Sequence, residues 1–141
     1  MGLILDTSVI VADERGRFSL AALFGARPGE DFFIAAITAS ELLHGVERAN
    51  TAERREKRSI YVEGVLQRLP IIEFELTVAR RHAQIWAELE VSRKMIGPHD
   101  LIIAATALEH GHSLATLNQS EFSHVQQLVL EDVAPFAVTK S

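Results

Sequence analysis

Short apolar runs alternate with helix-like stretches along the whole chain, and this alternation limits the fold more than any other feature of the sequence. Leu3-Ile4-Leu5 is a run of strand length, and a helical stretch follows from Ser8 to Asp13. Phe18 to Phe24 reads as one or two helical turns, closed by Gly25 and the Pro28-Gly29 turn. Phe32 to Ala35 is a second strand, and Thr38 then opens a helix to about Ala49. A charge-dense helix runs from Thr51 to about Arg68, and Pro70 introduces a third strand, Ile71 to Phe74. A long helix is predicted from Thr77 to Lys94, with Ala79, Ala83, Trp86 and Leu89 at helical spacing. After Gly97-Pro98, Asp100 to Glu109 forms another helix that stops at Gly111. Ser113 to Leu117 and Leu128 to Leu130 supply the last two strands. Strands that are apolar throughout, separated by helices, predict an α/β domain with a mainly parallel sheet of four to five strands flanked by helices. Ligands of such folds bind beyond the carboxyl ends of the strands.

Composition narrows the function. The 141 residues suit a single domain over 1–141, and with 48% hydrophobic residues a core needs no staples. The chain has no cysteine, so disulfides, thiolate zinc sites and cysteine nucleophiles are excluded. No apolar stretch approaches the roughly 20 residues of a membrane span, and Asp6 interrupts the N-terminal apolar run before it resembles a signal peptide. A cytoplasmic protein is expected. The net charge of −5 argues against a generic nucleic-acid coat, and there is neither a P-loop nor a G-x-G-x-x-G turn.

Acidic residues gather where this fold would place a ligand. Asp6 ends the first strand, Glu41 falls in the first turn of the helix after the second, Asp100 opens the helix before the fourth, and Glu121 lies just past the fourth. Each has a local alternative. Asp6 could cap a helix, Thr38-x-x-Glu41 matches a capping box, Asp100 suits a helix N-terminus, and Glu121 could simply be solvated. Together they would repel one another unless protons or cations offset the charge, and oxygen-only ligands suit magnesium or manganese.

Asp6-Thr7-Ser8 after an apolar strand, Glu41-Leu42-Leu43-His44-Gly45, Gly97-Pro98-His99-Asp100-Leu101-Ile102-Ile103-Ala104-Ala105 and Thr116-Leu117-Asn118-Gln119-Ser120-Glu121-Phe122 resemble, in order and spacing, the motifs of PIN-domain nucleases. Length and character are most similar to the VapC-type toxins of bacterial and archaeal toxin–antitoxin pairs. The resemblance implies a Mg2+-dependent endoribonuclease, with Mn2+ able to substitute, whose metal is held by Asp6, Glu41 and Asp100. Glu121 or Asn118 fills the fourth position, and Ser8 and Thr116 support the acids through hydrogen bonds. It further implies attack by water leaving 5′-phosphate and 3′-hydroxyl ends, a homodimer, a VapB-type antitoxin as partner, and operator DNA contacted only through that antitoxin, with no membrane involved.

Three other readings stay open. A haloacid-dehalogenase-like phosphatase would also use Asp6 but wants a second Asp where Ser8 stands. A housekeeping PIN nuclease would keep the acids without a toxin role. A catalytically silent PIN-like module would bind protein or RNA only. Arg48, Arg54, Arg55, Lys57 and Arg58, interleaved with Glu53 and Glu56, form the one basic concentration, either a solvated helix face or an RNA-backbone contact. His110 and His112 lack the one-turn spacing of a helical metal pair, and Trp86 is expected in the core, with a dimer surface as its second role.

Overall fold

The computed structural model describes residues 1–139, so Lys140 and Ser141 of the expected domain lie outside the described residues. Five strands, β1 (Leu3–Leu5), β2 (Phe32–Ala35), β3 (Ile71–Ile72), β4 (Ser113–Ala115) and β5 (Leu130–Glu131), form a parallel sheet in the order β3-β2-β1-β4-β5 among these residues. The helices between them are α1 (Thr7–Glu14), α2 (Leu20–Ala26), α3 (Ala36–Glu47), α4 (Ala52–Arg68), α5 (Leu76–Ser92), α6 (Pro98–His110) and α7 (Gln119–Phe122). No helix among the described residues is long and apolar enough to cross a membrane.

The period of two in β1 divides the core. Leu3 and Leu5 face the layer built by α1 to α4, with Val9, Leu23, Leu42 and Val62, while Ile4 faces the layer of α5 and α6, with Ile85, Leu89 and Ile103. All three β1 residues are fully buried, which is why the strand reads as a continuous apolar run. Truncating any of them to Ala would cost about 2–5 kcal/mol. β1 enters the sheet past Gly2, where a side chain is impossible: a Cβ would stand 2.8 Å from the Asp31 carbonyl oxygen. The Gly2 amide donates to His112 Nδ1 at 2.9 Å, and that ring stacks on Phe33. His112 is thus a structural residue, and burial holds its pKa below the usual histidine range.

The structure corrects several boundaries. The third strand stops at Ile72 and the fourth at Ala115, because each pairs only as far as its neighbour's register extends. α3 starts at Ala36 and its N-cap is Ala35, so Glu41 sits beyond the first turn and Thr38 caps nothing. The buried stripe of α5 is Val78, Ile85 and Leu89, one helical face, which leaves Trp86 48% exposed against His82. Trp86 is therefore not a core residue.

Candidate active site

Chain connections leave β1 in one direction for β2 and β3, and β4 returns on its other side, so the sheet order reverses between β1 and β4. In open α/β sheets the crevice beyond the strand ends at such a switch point binds ligands. Asp6 stands there. Its backbone N–H donates to the Ala115 carbonyl at 2.9 Å, extending the β1–β4 ladder by one residue, and its side chain is 2% exposed.

The Asp6 carboxylate does not cap α1; it accepts side-chain hydroxyls instead. Ser8 Oγ donates to Oδ2 at 2.6 Å and Thr116 Oγ1 donates to the same oxygen at 2.8 Å. The hydroxyls are themselves fixed, since Leu117 N–H donates to Ser8 Oγ and Asn118 N–H to Thr116 Oγ1. Burial pushes the Asp6 pKa up, and the Ser8 and Thr116 hydroxyls, which favour the ionised form, oppose that rise.

Glu41 reaches the same place from the second turn of α3. Thr7 Oγ1 donates to its Oε1 at 2.7 Å and also lies 3.1 Å from Thr38 Oγ1, while His99 Nδ1 stands 3.3 Å from Oε2. Thr7 was not singled out from the sequence, although its place between two functional residues was a signal. Asp100 occupies the first turn of α6, which Gly97 caps and Pro98 opens. Its pKa rises to about 6, first through burial and then through repulsion by Asp6, Glu121 and Glu41. A helix N-terminus normally favours a carboxylate, so burial and the neighbouring acids together outweigh the dipole here.

Glu121, in α7, approaches Asp100 from behind. Its Oε1 accepts the Gly97 N–H at 2.8 Å, and a Cβ at Gly97 would lie 3.4 Å from Asp100 Oδ2 and 3.7 Å from Glu121 Oε1. The two carboxylates thus converge over a residue without a side chain. A cleft of about 440 Å³ is lined by Asp6, Thr7, Ser8, Glu41, Asp100 and Asn118 and also by Arg15 and Arg17. Glu121 does not line this cleft. The two arginines were not identified from the sequence; they lie at the far end of α1, and no local pattern marks them. The basic residues that were, on α4, are engaged locally: Arg54 donates to Asn50 Oδ1, Arg55 to the Glu47 carbonyl, and Arg58 to the Gly45 carbonyl.

A sequence model of the PIN domain matches residues 3–128.

The chain belongs to the PIN-domain family.

Within that family it is 41% identical to ribonuclease VapC1 of Rickettsia felis, over 91% of this chain and 93% of that protein. It is 29% identical to the tRNA(fMet)-specific endonuclease VapC of Shigella flexneri, over 92% of this chain and 96% of that one. Its fold is similar to that in VapBC2 from Rickettsia felis bound to a DNA fragment from their promoter, with a TM-score of 0.84, 26% identity, and coverage of 93% of this chain and 98% of that chain.

The acids of this PIN domain form an oxygen-only donor set, the chemistry that suits a hard divalent cation. Among the described residues no group of three or more such side chains is already arranged to hold an ion. Glu41 Oε1 is held by Thr7 and Glu121 Oε1 by the Gly97 amide, so those two side chains would have to turn. Asp6 needs no such change: only Oδ2 takes hydroxyl donors, leaving Oδ1 for a ligand.

Proposed function

We propose that this PIN domain is a Mg2+-dependent endoribonuclease of the VapC type, with Mn2+ able to substitute. One observation carries the reading: acids from four separate elements gather around Asp100, whose pKa is pushed up to about 6, first by burial and then by the charges of Asp6, Glu121 and Glu41. A fold that keeps such repulsion is one in which a cation is the natural occupant. Asp6, Asp100 and Glu41 would hold the ion, with Glu121 joining directly or through water. When bound, a divalent cation makes a water acidic and stabilises the charge that builds on the oxygens of an in-line phosphoryl displacement.

The protein's own groups set the geometry. Ser8 and Thr116 lock the orientation of Asp6, Thr7 and His99 hold Glu41 in the position from which it would turn to join the ion, and the first turn of α6 carries Asp100. Asn118, lining the cleft beside Asp6, orients the loop or a water. Cleavage by water would leave 5′-phosphate and 3′-hydroxyl ends.

The same reading makes the chain a toxin. A small VapB-type antitoxin would cover the acidic cleft with an Arg or Lys and would carry any contact with operator DNA; the similarity to a VapBC2 assembly bound to promoter DNA supports such a partner. A homodimer would use the exposed Trp86, Phe74 and Leu76.

The decisive experiment is cleavage of total cellular RNA in Mg2+, with fragment ends sequenced and the neighbouring gene coexpressed. Cleavage silenced by chelation, reduced about a thousandfold or more in Asp6→Asn, and accompanied by growth arrest that the neighbour relieves is the expected result. Undiminished cleavage by Asp6→Asn would refute the site. Harmless expression of a chain that cleaves RNA would make it a housekeeping nuclease.

A further inference from the structure

We propose that Arg15 and Arg17 form a phosphate clamp that grips the RNA backbone beside the phosphate to be cut. The inference rests on the ribonuclease reading above and names the part of the cleft that recognises substrate. Four acids present a difficulty for an RNA enzyme. A cation can neutralise the charge around the reacting phosphate, but the phosphates on either side still meet Asp6, Glu41 and Asp100 across a shared cleft. Only a compensating positive charge on that cleft makes it hospitable to a strand carrying one negative charge per nucleotide.

The two arginines are placed to supply it. Asp6 and Arg15 are the N-cap and C-cap of the eight-residue α1, so at 1.5 Å per residue their backbones stand about 13.5 Å apart along the helix. The side chains of Arg15 and Arg17 line the same cleft as Asp6, Glu41 and Asp100. Among the described residues neither takes part in an ion pair with a carboxylate, whereas Arg27, Arg58 and Arg81 all do.

The backbone that presents them is fixed. α1 ends in a left-handed Gly16, with φ of 72°, and Arg17 N–H donates back to the Ala12 carbonyl at 2.8 Å. The Arg17 carbonyl accepts Val138 N–H at 2.8 Å, and Phe18 forms a bridge to Ala137. Both guanidinium groups therefore project from an anchored turn, with only side-chain entropy to lose on binding. Arginine suits the task because its planar fork matches two phosphate oxygens.

The test uses the full chain carrying Asp6→Asn, which keeps RNA intact. Binding of a short fluorescein-labelled single-stranded RNA is read in Mg2+ at several NaCl concentrations. Adding Arg15→Ala with Arg17→Ala should weaken Kd about tenfold or more at low salt and lower the slope of log Kd against log salt by about 1.4, the value for two contacts on a single strand. The corresponding Arg→Lys pair should retain most of the slope. Arg54→Ala with Arg55→Ala removes the same charge outside the cleft and should leave the slope unchanged. With Asp6 intact, the cleft alanine pair should raise KM and keep kcat within about threefold.

An unchanged slope for the cleft pair, or equal losses from both alanine pairs, overturns the clamp. If the wild type cleaves RNA and the cleft pair matches its KM, the clamp fails while the ribonuclease reading stands. If the slope drops as expected but the wild type cuts no RNA, the nuclease reading fails, and with it the placing of the clamp beside a phosphate to be cut, while the grip of the two arginines on RNA stands. Loss of affinity for the neighbour-encoded protein with RNA binding unchanged would assign the arginines to a protein contact and overturn the proposal.

Discussion

Replacing Asp100 by Asn should make the metal-free protein more stable while removing its response to metal. Asp100 titrates near 3.8 when unperturbed and at about 6 in the fold, so above pH 6 the folded state carries a charge that burial, and then the neighbouring acids, resist. The displacement corresponds to at most about 3 kcal/mol, and partial exposure of the site screens a large part of that. Asn also forgoes the attraction of the α6 N-terminus, worth about 0.5 kcal/mol to a carboxylate. A net gain of about 1 kcal/mol remains, or roughly 4 °C in Tm for a domain of this size. The sign follows from proton binding. Between pH 4 and 6 the folded state holds more protons than the unfolded chain, so this contribution weakens the wild type as pH rises through that window. Scanning calorimetry in EDTA should therefore find the variant ahead at pH 7.5 and level with the wild type at pH 4. Adding Mg2+ should reverse the order, because a ligand that binds only the folded wild type raises its Tm alone. A variant less stable than the wild type in EDTA at pH 7.5, or one that gains equally from Mg2+, would refute the reasoning.

Thr116→Val keeps the shape but strips a hydroxyl from the buried Asp6 carboxylate. The Asp6 pKa should rise further, moving the acid limb of the pH–rate profile upward and lowering kcat/KM most on the acid side, which a purely structural role would not do. Metal titration by calorimetry should find Glu121→Gln weaker for Mn2+ than Asn118→Ala; the reverse order would move the fourth position to Asn118. Trp86→Asp should convert the expected dimer to a species sedimenting at 15.6 kDa, and a wild type already at that mass at micromolar concentration would remove the dimer.

Much of the site was legible because its residues announce themselves locally. Asp6 follows an apolar run that must be buried, so an acid at that point is either costly or useful, and Ser8 and Thr116 supply the hydroxyls that hold it. Less was legible where tertiary packing decides. α3 begins without a side-chain cap, so the Thr38 and Glu41 spacing suggested a start that the backbone does not take. The long amphipathic α5 could be rotated by one residue without spoiling its pattern, and the choice of Val78, Ile85 and Leu89 as the inner face depends on α6. The arrival of Arg15 and Arg17 at the acidic cleft follows from the length of α1 and the turn at Gly16, quantities that a sequence pattern states only to within a residue or two.

The outermost strands of the sheet, β3 and β5, are two residues each. A sheet margin this brief exposes few unpaired amides and carbonyls, so it gives an incoming polypeptide little backbone to pair with and protects a concentrated solution of the protein from edge-to-edge growth. Any companion molecule must instead recognise side chains on the helical layers or in the acidic cleft. Specificity among coexisting relatives of this fold then resides in surface residues that can change without disturbing the sheet, and cross-reaction between their partners becomes a matter of a few substitutions.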